Sequence, residues 1–192
     1  VRSGRLIAFG TPSGPGDVDG DGWLDLVVGA LARVDGRNVV RIDVALGASG
    51  RLSGDRDVDL NAVERGVGGW TITGLPGEGS LSTTVSTWPV GDVDHDGRDD
   101  VGFTLRPAPP NHSAAPLPVR LYVAYGKADL APLTLVDLEQ GRGGFVMDLP
   151  DFPTRVAPGD VDGDGLDDLL FGFAAKGAAG RVDGAAEVRF GV

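Results

Sequence analysis

A nine-residue pattern, Asp-Val-Asp-x-Asp-Gly-x-x-Asp, occurs three times in this chain and is each time followed by apolar residues. The copies begin at Asp17, Asp92 and Asp160, in the segments GDVDGDGWLDLVVGA, GDVDHDGRDDVGFTL and GDVDGDGLDDLLFGF. Their starting points lie 75 and 68 residues apart (92 − 17 and 160 − 92). Self-similarity at a regular spacing is typical of repeat architectures, in which each unit buries its apolar face against a neighbour. The chain is therefore predicted to be a stack of three related units.

The spacing of the aspartates predicts a calcium-binding loop. Ca²⁺ takes roughly six to eight oxygen ligands at about 2.3–2.6 Å. Side chains at loop positions 1, 3 and 5 converge if the chain turns sharply at the glycine of position 6. Position 7 then offers a backbone carbonyl oxygen, and position 9 offers a fourth carboxylate. The predicted ligands are Asp17, Asp19, Asp21, Trp23 and Asp25 (loop 1), Asp92, Asp94, Asp96, Arg98 and Asp100 (loop 2), and Asp160, Asp162, Asp164, Leu166 and Asp168 (loop 3).

Two other interpretations of these loops are weaker. Solvated turns without an ion would place four carboxylates close together, at a cost of about 1 kcal/mol per pair even in water. An EF-hand needs a Glu at position 12 and flanking helices. Position 12 is apolar in all three copies (Val28, Phe103 and Phe171), and short apolar segments typical of strands follow each loop. The loops are therefore predicted to connect strands.

The calcium loops resemble those of the FG-GAP repeat, found in integrin α-subunit propellers and in many bacterial extracellular proteins. Gly29-Ala30 resembles the Gly-Ala-Pro segment of that family, with Leu31 in place of Pro. Gly79-Ser80-Leu81 resembles its Phe-Gly-x-Ser-Leu segment, with Glu78 in place of Phe. The second and third copies lack Gly-Ala-Pro and have Thr104-Leu105-Arg106 and Gly172-Phe173-Ala174 instead. The resemblance covers nearly the whole chain and implies an all-β, calcium-binding β-propeller.

Apolar alternation between turn residues predicts eleven strands and no helix of useful length. The predicted strands are Arg5–Thr11, Leu24–Ala30, Val39–Leu46, Gly69–Thr73, Thr83–Val90, Val101–Leu105, Val119–Tyr125, Phe145–Leu149, Thr154–Ala157, Leu169–Phe173 and Glu187–Phe190. The polar stretch Gly47–Glu64 is predicted to be loop. Residues 1–192 would form one propeller segment, with four-stranded blades at about 4–74 and 80–149 and a three-stranded blade at about 152–192.

Charge and composition limit the classes of partner that the chain is expected to bind. The net charge is −11, and twelve of the 28 acidic residues are predicted ligands, so three Ca²⁺ ions would leave about −5. Nucleic acid is a poor partner, because phosphate binding needs a basic surface. There is no cysteine, and no apolar run is long enough to span a membrane. The chain starts without a signal-peptide pattern, as a mature or excised segment would.

No residue pattern predicts catalysis, and we expect a protein that is not an enzyme. His95 occupies position 4 of loop 2 and is expected to face solvent, whereas His112 and Ser113 lie in a proline-rich loop without a third group to orient them. Asp99 and Asp167, at loop position 8, are interpreted as solvated carboxylates whose removal should be nearly silent. The tryptophans Trp23, Trp70 and Trp88 could stack on a sugar but are more typical of core.

The resemblance implies a calcium-binding module for adhesion or scaffolding, secreted, periplasmic or at the cell surface, that binds a protein partner. A carbohydrate-binding propeller and an accessory domain of a larger secreted enzyme are the alternatives. Partners would bind at the end opposite the calcium loops, where Arg106–Pro118 forms the longest connection, unless that loop is an inert insertion. Three blades leave two faces open, so the chain is either part of a longer propeller or forms a homodimer, whose 22 strands approach a six-bladed ring of about 24.

Overall fold

The computed structural model describes residues 5–10, 12–34, 37–47, 57–74, 85–106, 118–176 and 182–189, which form an all-β structure with two short helices. The strands are β1 (Arg5–Phe9), β2 (Leu26–Val34), β3 (Arg37–Ala45), β4 (Gly69–Gly74), β5 (Ser86–Pro89), β6 (Val101–Leu105), β7 (Val119–Ala124), β8 (Leu133–Thr134), β9 (Gly144–Leu149), β10 (Arg155–Gly159), β11 (Asp168–Lys176) and β12 (Val182–Arg189). The helices are α1 (Leu60–Glu64) and α2 (Leu135–Glu139).

The strands form three sheets in chain order. Sheet 1 has the order β1-β2-β3-β4-β8, sheet 2 the order β5-β6-β7-β9, and sheet 3 the order β10-β11-β12. Each sheet is an antiparallel meander, and the exception is β8, which pairs in parallel with β4 through Ile72 and Leu133. A short strand from the second repeat thus extends the sheet of the first, and the sequence did not predict this strand.

Sheets 1 and 2 enclose a common apolar core, because apolar side chains alternate along their strands and point to the face between the two sheets. In β3, Val40, Ile42 and Val44 point to sheet 2, so Arg41 and Asp43 point to the opposite face. The core residues from sheet 1 include Val27, Leu31, Val40, Ile42, Val44, Trp70 and Ile72, and those from sheet 2 include Val101, Phe103, Leu105 and Tyr122.

Sheet 2 also packs against sheet 3, so its inner strand β7 is buried on both faces. Tyr122 and Ala124 of β7 lie in the first core, whereas Val119, Leu121 and Val123 lie in a second core. The partners from sheet 3 in the second core are Val156, Leu169, Phe171 and Phe173. Burial on both sides explains why the segment VRLYVAY is almost continuously apolar.

Each of the first two repeats places a short helix in the connection between its third and fourth strands. Asp59 caps α1 by accepting a hydrogen bond from the Asn61 backbone, and Thr134 caps α2 in a reciprocal capping box with Asp137. The prediction that all of Gly47–Glu64 is loop is therefore wrong at residues 60–64, where Val63 is buried. Five residues are too few to produce a clear helical period in the sequence.

All eleven predicted strands are present where the structure describes them, but their bounds differ: β2 begins at Leu26 rather than Leu24, β5 ends at Pro89 rather than Val90, and several strands run longer than predicted. β2 continues to Val34 and β11 to Lys176, and β12 begins at Val182 rather than Glu187. Three predicted features, the Gly79–Leu81 segment, His112 and residues 107–117 of the proline-rich loop, lie outside the described residues. Within the described ranges, no helix has the length and hydropathy needed to cross a membrane.

Candidate metal centres

The three aspartate loops occupy the same place in each sheet. Loop 1 connects β1 to β2, loop 2 connects β5 to β6, and loop 3 connects β10 to β11. In each loop three aspartates bring carboxylate oxygens within 4.8 Å of one another. The clusters are Asp17, Asp19 and Asp25 in loop 1, Asp92, Asp94 and Asp96 in loop 2, and Asp160, Asp162 and Asp168 in loop 3.

The first aspartate of each loop folds the loop around its own carboxylate. In loop 1, Asp17 Oδ1 accepts hydrogen bonds from the amides of Gly20 (2.8 Å) and Asp21 (3.0 Å), and Oδ2 accepts one from Gly22 (2.7 Å). Asp92 and Asp160 bind the glycine amide at position 6 in the same way, at 2.8 and 3.1 Å. Backbone amides therefore orient the first carboxylate of every cluster.

The glycines at position 6 make the turn that the sequence predicted. Gly22, Gly97 and Gly165 have φ angles of 87°, 86° and 91°, a region that side-chain-bearing residues rarely adopt. His95 at position 4 of loop 2 has φ 59° and is the single non-glycine residue with positive φ in the described ranges. Its side chain is exposed, as the sequence led us to expect.

The aspartate at position 9 is buried and ties the loop to the sheet. Asp25 accepts hydrogen bonds from the amides of Val18 (2.7 Å) and Gly47 (2.6 Å), one on each oxygen. Asp100 does the same with Val93 (2.9 Å) and Gly126 (2.7 Å). Asp168 begins β11 and accepts from Val161 at 2.7 Å. This residue thus joins the start of the loop to the second strand of its sheet.

Burial gives the carboxylates of Asp25 and Asp100 an unfavourable electrostatic environment. Loss of solvation raises the pKa of Asp25 to about 6 and that of Asp100 to about 7, although backbone hydrogen bonds oppose the change. Burial, together with the charge of neighbouring aspartates, also raises the pKa of Asp19 and Asp94. A bound cation would offset this destabilisation of the ionised carboxylates.

Each cluster contains three of the four carboxylates that the sequence assigned to it. Asp21, Asp164 and Asp100 lie outside the clusters. Asp21 Oδ1 and Asp164 Oδ1 instead accept hydrogen bonds from the position-7 amides of Trp23 (2.9 Å) and Leu166 (2.8 Å). In loop 2, Asp96 accepts from the Arg98 amide at 2.9 Å and forms an ion pair with the Arg98 guanidinium at 2.7 Å. The clusters consist of carboxylates, so the predicted position-7 carbonyl ligands are additional to them.

The aspartates at position 8 are not simply solvated, and that interpretation is wrong. Asp99 Oδ2 accepts a hydrogen bond from the Asp17 amide at 2.8 Å, and Asp167 Oδ2 accepts one from the Asp92 amide at 3.1 Å. Each therefore contacts the first predicted ligand of the preceding loop. These contacts also place the three loops side by side at one end of the sheets.

Outside the loops, a second group of polar residues recurs in the first two repeats. Arg41 contacts Asp43 at 2.7 Å, Glu64 at 2.9 Å and the Leu60 carbonyl at 2.6 Å, and its side chain is only 3% exposed. At the corresponding position of the second repeat, Arg120 contacts Glu139 at 3.4 Å and Asp148 at 3.2 Å. A surface groove of about 420 Å³ is lined by Arg120, Glu139, Val146 and Asp148.

This arrangement was not predicted, although the sequence carries a signal for it. The segments LNAVERGVGGW and LVDLEQGRGGF begin at Leu60 and Leu135, 75 residues apart. That is the spacing between loops 1 and 2. The repeat therefore includes the helix and the glutamate that binds the arginine.

Comparison with known proteins adds no assignment. No protein-family model and no curated protein matches the chain.

Proposed function

We propose that the chain is a calcium-binding segment of a β-propeller of the FG-GAP type, with one Ca²⁺ in each aspartate loop. The observation that carries this proposal is the recurrence of one carboxylate cluster ahead of the second strand of every sheet. A solvated turn has no physical need to gather three carboxylates, and to do so in three separate loops.

The residues present fit a calcium ion. Oxygens on opposite sides of an ion at about 2.4 Å lie about 4.8 Å apart, and the oxygens of each cluster lie within 4.8 Å of one another. All the side-chain donors are carboxylates, which hard cations such as Ca²⁺ prefer. Asp17, Asp92 and Asp160 would hold the ion from the start of each loop, and the aspartates at positions 3, 5 and 9 and the position-7 carbonyls would complete the set.

A β-propeller is a more specific architecture than the all-β meanders alone. Consecutive four-stranded antiparallel sheets that pack face to face are the building blocks of propellers, and sheets 1 and 2 have this form apart from the added β8. The cores on both faces of sheet 2 support it, because an inner blade is covered by its two neighbours. Together with the resemblance of the loops to the FG-GAP pattern, these features favour a propeller over other all-β stacks.

The biological role that follows is adhesion or scaffolding in a calcium-rich setting, outside the cell or in the periplasm. The ions would fix the conformation of the loops at one end of the sheets. A protein partner would then bind at the opposite end. Millimolar calcium would occupy at least about half of sites as weak as those of extracellular modules, which bind at about 10⁻⁴ to 10⁻³ M.

Calorimetric titration with Ca²⁺ tests the proposal. We expect about three ions per chain in the wild type and about two in Asp17→Ala, Asp92→Ala or Asp160→Ala. Asp148→Ala is the matched control, because it removes an exposed aspartate of β9 that lies outside the clusters. A chain that binds no Ca²⁺ at millimolar concentration would contradict the proposal.

Two further measurements address the partner and the assembly. Binding to a glycan array would favour the carbohydrate-binding alternative over adhesion through protein contacts. Light scattering after size exclusion tests the homodimer, and a stable monomer at micromolar concentration excludes it.

A further inference from the structure

Loops 1 and 2 are joined by a reciprocal pair of hydrogen bonds across 82 residues of sequence. The Asp17 amide donates to Asp99 Oδ2 at 2.8 Å, and the Asp99 amide donates to the Asp17 carbonyl at 2.9 Å. Arg98, next in sequence, adds a contact from Nε to the Asp19 carbonyl at 3.3 Å. The backbone at positions 1 and 3 of loop 1 is thus held by residues of loop 2.

The junction between loops 2 and 3 repeats the central contact. The Asp92 amide donates to Asp167 Oδ2 at 3.1 Å. The glycine before each of these loops leaves room for the incoming carboxylate: a Cβ on Gly16 would lie 1.9 Å from Asp99 Oδ2, and one on Gly91 would lie 2.1 Å from Asp167 Oδ2. A Cβ on Gly159, before loop 3, meets no described atom closer than 3.8 Å.

We propose that Asp99 and Asp167 are positioning residues for the ion site of the preceding repeat, so that loop 2 sets the affinity of loop 1 and loop 3 sets that of loop 2. This inference rests on the proposed calcium function. Neither residue belongs to a carboxylate cluster, so each acts through the first ligand of the neighbouring loop.

The physical basis is preorganisation of that first ligand. The Asp17 carboxylate is oriented by amides of its own loop, but this orientation is useful only if the Asp17 backbone is itself fixed. Asp99 fixes it from the adjacent repeat. A site that is ordered before the ion arrives loses less conformational entropy on binding. The loss of one hydrogen bond that fixes the first ligand is expected to weaken binding about tenfold.

Trp23 provides a reporter for loop 1. It occupies position 7, and the residue is 51% exposed, whereas loops 2 and 3 have Arg98 and Leu166 there. Tb³⁺ binds the same oxygen ligands as Ca²⁺, and a nearby indole sensitises its luminescence. Titration of the full chain with Tb³⁺, corrected by the same variant carrying Trp23→Phe, therefore measures the affinity of loop 1.

We expect Asp99→Ala to weaken Tb³⁺ binding in loop 1 about tenfold. Asp99→Asn keeps an acceptor oxygen and should restore affinity to within about twofold of the wild type, because the hydrogen bond rather than the charge positions Asp17. Asp167→Ala is the matched control, since it removes the same contact one repeat later and should leave loop 1 unchanged. Asp99→Leu provides a second test if Asp99→Ala does not fold, because Leu is the residue that loop 1 has at this position, Leu24.

Three results would overturn the inference: unchanged loop 1 affinity in folded Asp99→Ala or Asp99→Leu, equal weakening by Asp99→Asn and Asp99→Ala, or equal weakening of loop 1 by Asp167→Ala. Circular dichroism at saturating Ca²⁺ establishes that each variant is folded. Failure of the proposed calcium function has a different signature, because wild-type protein would then give no saturable Tb³⁺ signal that Ca²⁺ displaces.

Discussion

Asp100 Oδ1 lies 2.7 Å from the amide nitrogen of Gly126, and Asp25 Oδ1 lies 2.6 Å from that of Gly47. In both repeats the buried carboxylate just before the second strand therefore accepts a hydrogen bond from a glycine two residues after the end of the third strand. A side chain on Gly126 would not fit, because its Cβ would lie 2.6 Å from the Asp99 carbonyl. The position-9 aspartate consequently has a structural role that does not need an ion.

This role predicts that Asp100→Ala destabilises the protein even without metal. The substitution leaves the amides of Val93 and Gly126 without their carboxylate partner, which costs about 2–4 kcal/mol for two buried donors. Urea denaturation in chelator measures this cost. Asp94→Ala is the control: it lies in the cluster of the same loop and should lower stability mainly when Ca²⁺ is present. Equal effects of the two substitutions in chelator would contradict the structural role.

Removal of metal should lower the thermal stability of the wild type. Each site at about 100 times its Kd contributes roughly 2.7 kcal/mol to the free energy of unfolding. Chelation also restores repulsion among the clustered carboxylates. Scanning calorimetry with millimolar Ca²⁺ and with chelator measures the difference. A melting temperature that does not change would argue against ion binding in the folded state.

Alanine substitutions at two glycines after α2 distinguish the cost of a steric clash from the cost of backbone strain. A Cβ on Gly144 would lie 2.0 Å from the Val123 carbonyl at a φ of 151°, whereas one on Gly141, with φ 70°, meets no atom within 4 Å. Gly141→Ala should therefore cost about 1–2 kcal/mol, from conformation alone. Gly144→Ala adds a backbone clash and should cost clearly more. Chemical denaturation of both variants checks the order, and equal costs would exclude the close approach.

The corresponding arginines of the first two repeats should differ in importance. Arg41 is buried with Asp43, so Arg41→Ala would leave that carboxylate without its partner, at a cost of about 3–5 kcal/mol. Arg120 is 37% exposed, and Arg120→Ala should cost at most about 1 kcal/mol. Urea denaturation of the two variants provides the comparison. Similar losses would show that burial does not distinguish these ion pairs.

The cap of α2 should be visible in an NMR titration. The Thr134 hydroxyl and the Arg142 guanidinium lower the pKa of Asp137 to about 2. Because the folded-state pKa lies below the unfolded value, the stabilisation is present above about pH 4 and is lost as the pH falls towards 2. Thr134→Val removes the hydroxyl and should move the midpoint of Asp137 upward. An unchanged midpoint would contradict the capping interaction.

Features set by nearby residues could be predicted from the sequence. The strands follow from alternation within a few residues, and the turn at Gly22 follows from its position among closely spaced aspartates. The carboxylate clusters also depend mainly on local spacing. The long-range partner of the position-9 aspartate was less predictable, because Asp100 accepts from Gly126, two residues beyond β7, and the loop does not encode where that strand ends.

Contacts between repeats could not be predicted in this way. Asp99 looked solvated because its partner, Asp17, lies 82 residues earlier in the chain. An indirect signal existed, since loops 2 and 3 have an aspartate at position 8 where loop 1 has Leu24, which is 75% exposed. The contact can be inferred from this difference at position 8 only when the spatial order of the loops is known.

The corresponding faces of sheets 1 and 2 differ in their chemistry. Sheet 2 presents Phe103 and Tyr122, stacked with ring centroids 5.2 Å apart, to its predecessor. The same face of sheet 1 carries Arg41 and Asp43, whose charges would be costly against the apolar surface that receives the aromatic pair. Chains of similar repeats are prone to misassembly while they fold. This mismatch disfavours a misfolded state in which sheet 1 takes the place of sheet 2, even though their aspartate loops are nearly interchangeable in sequence.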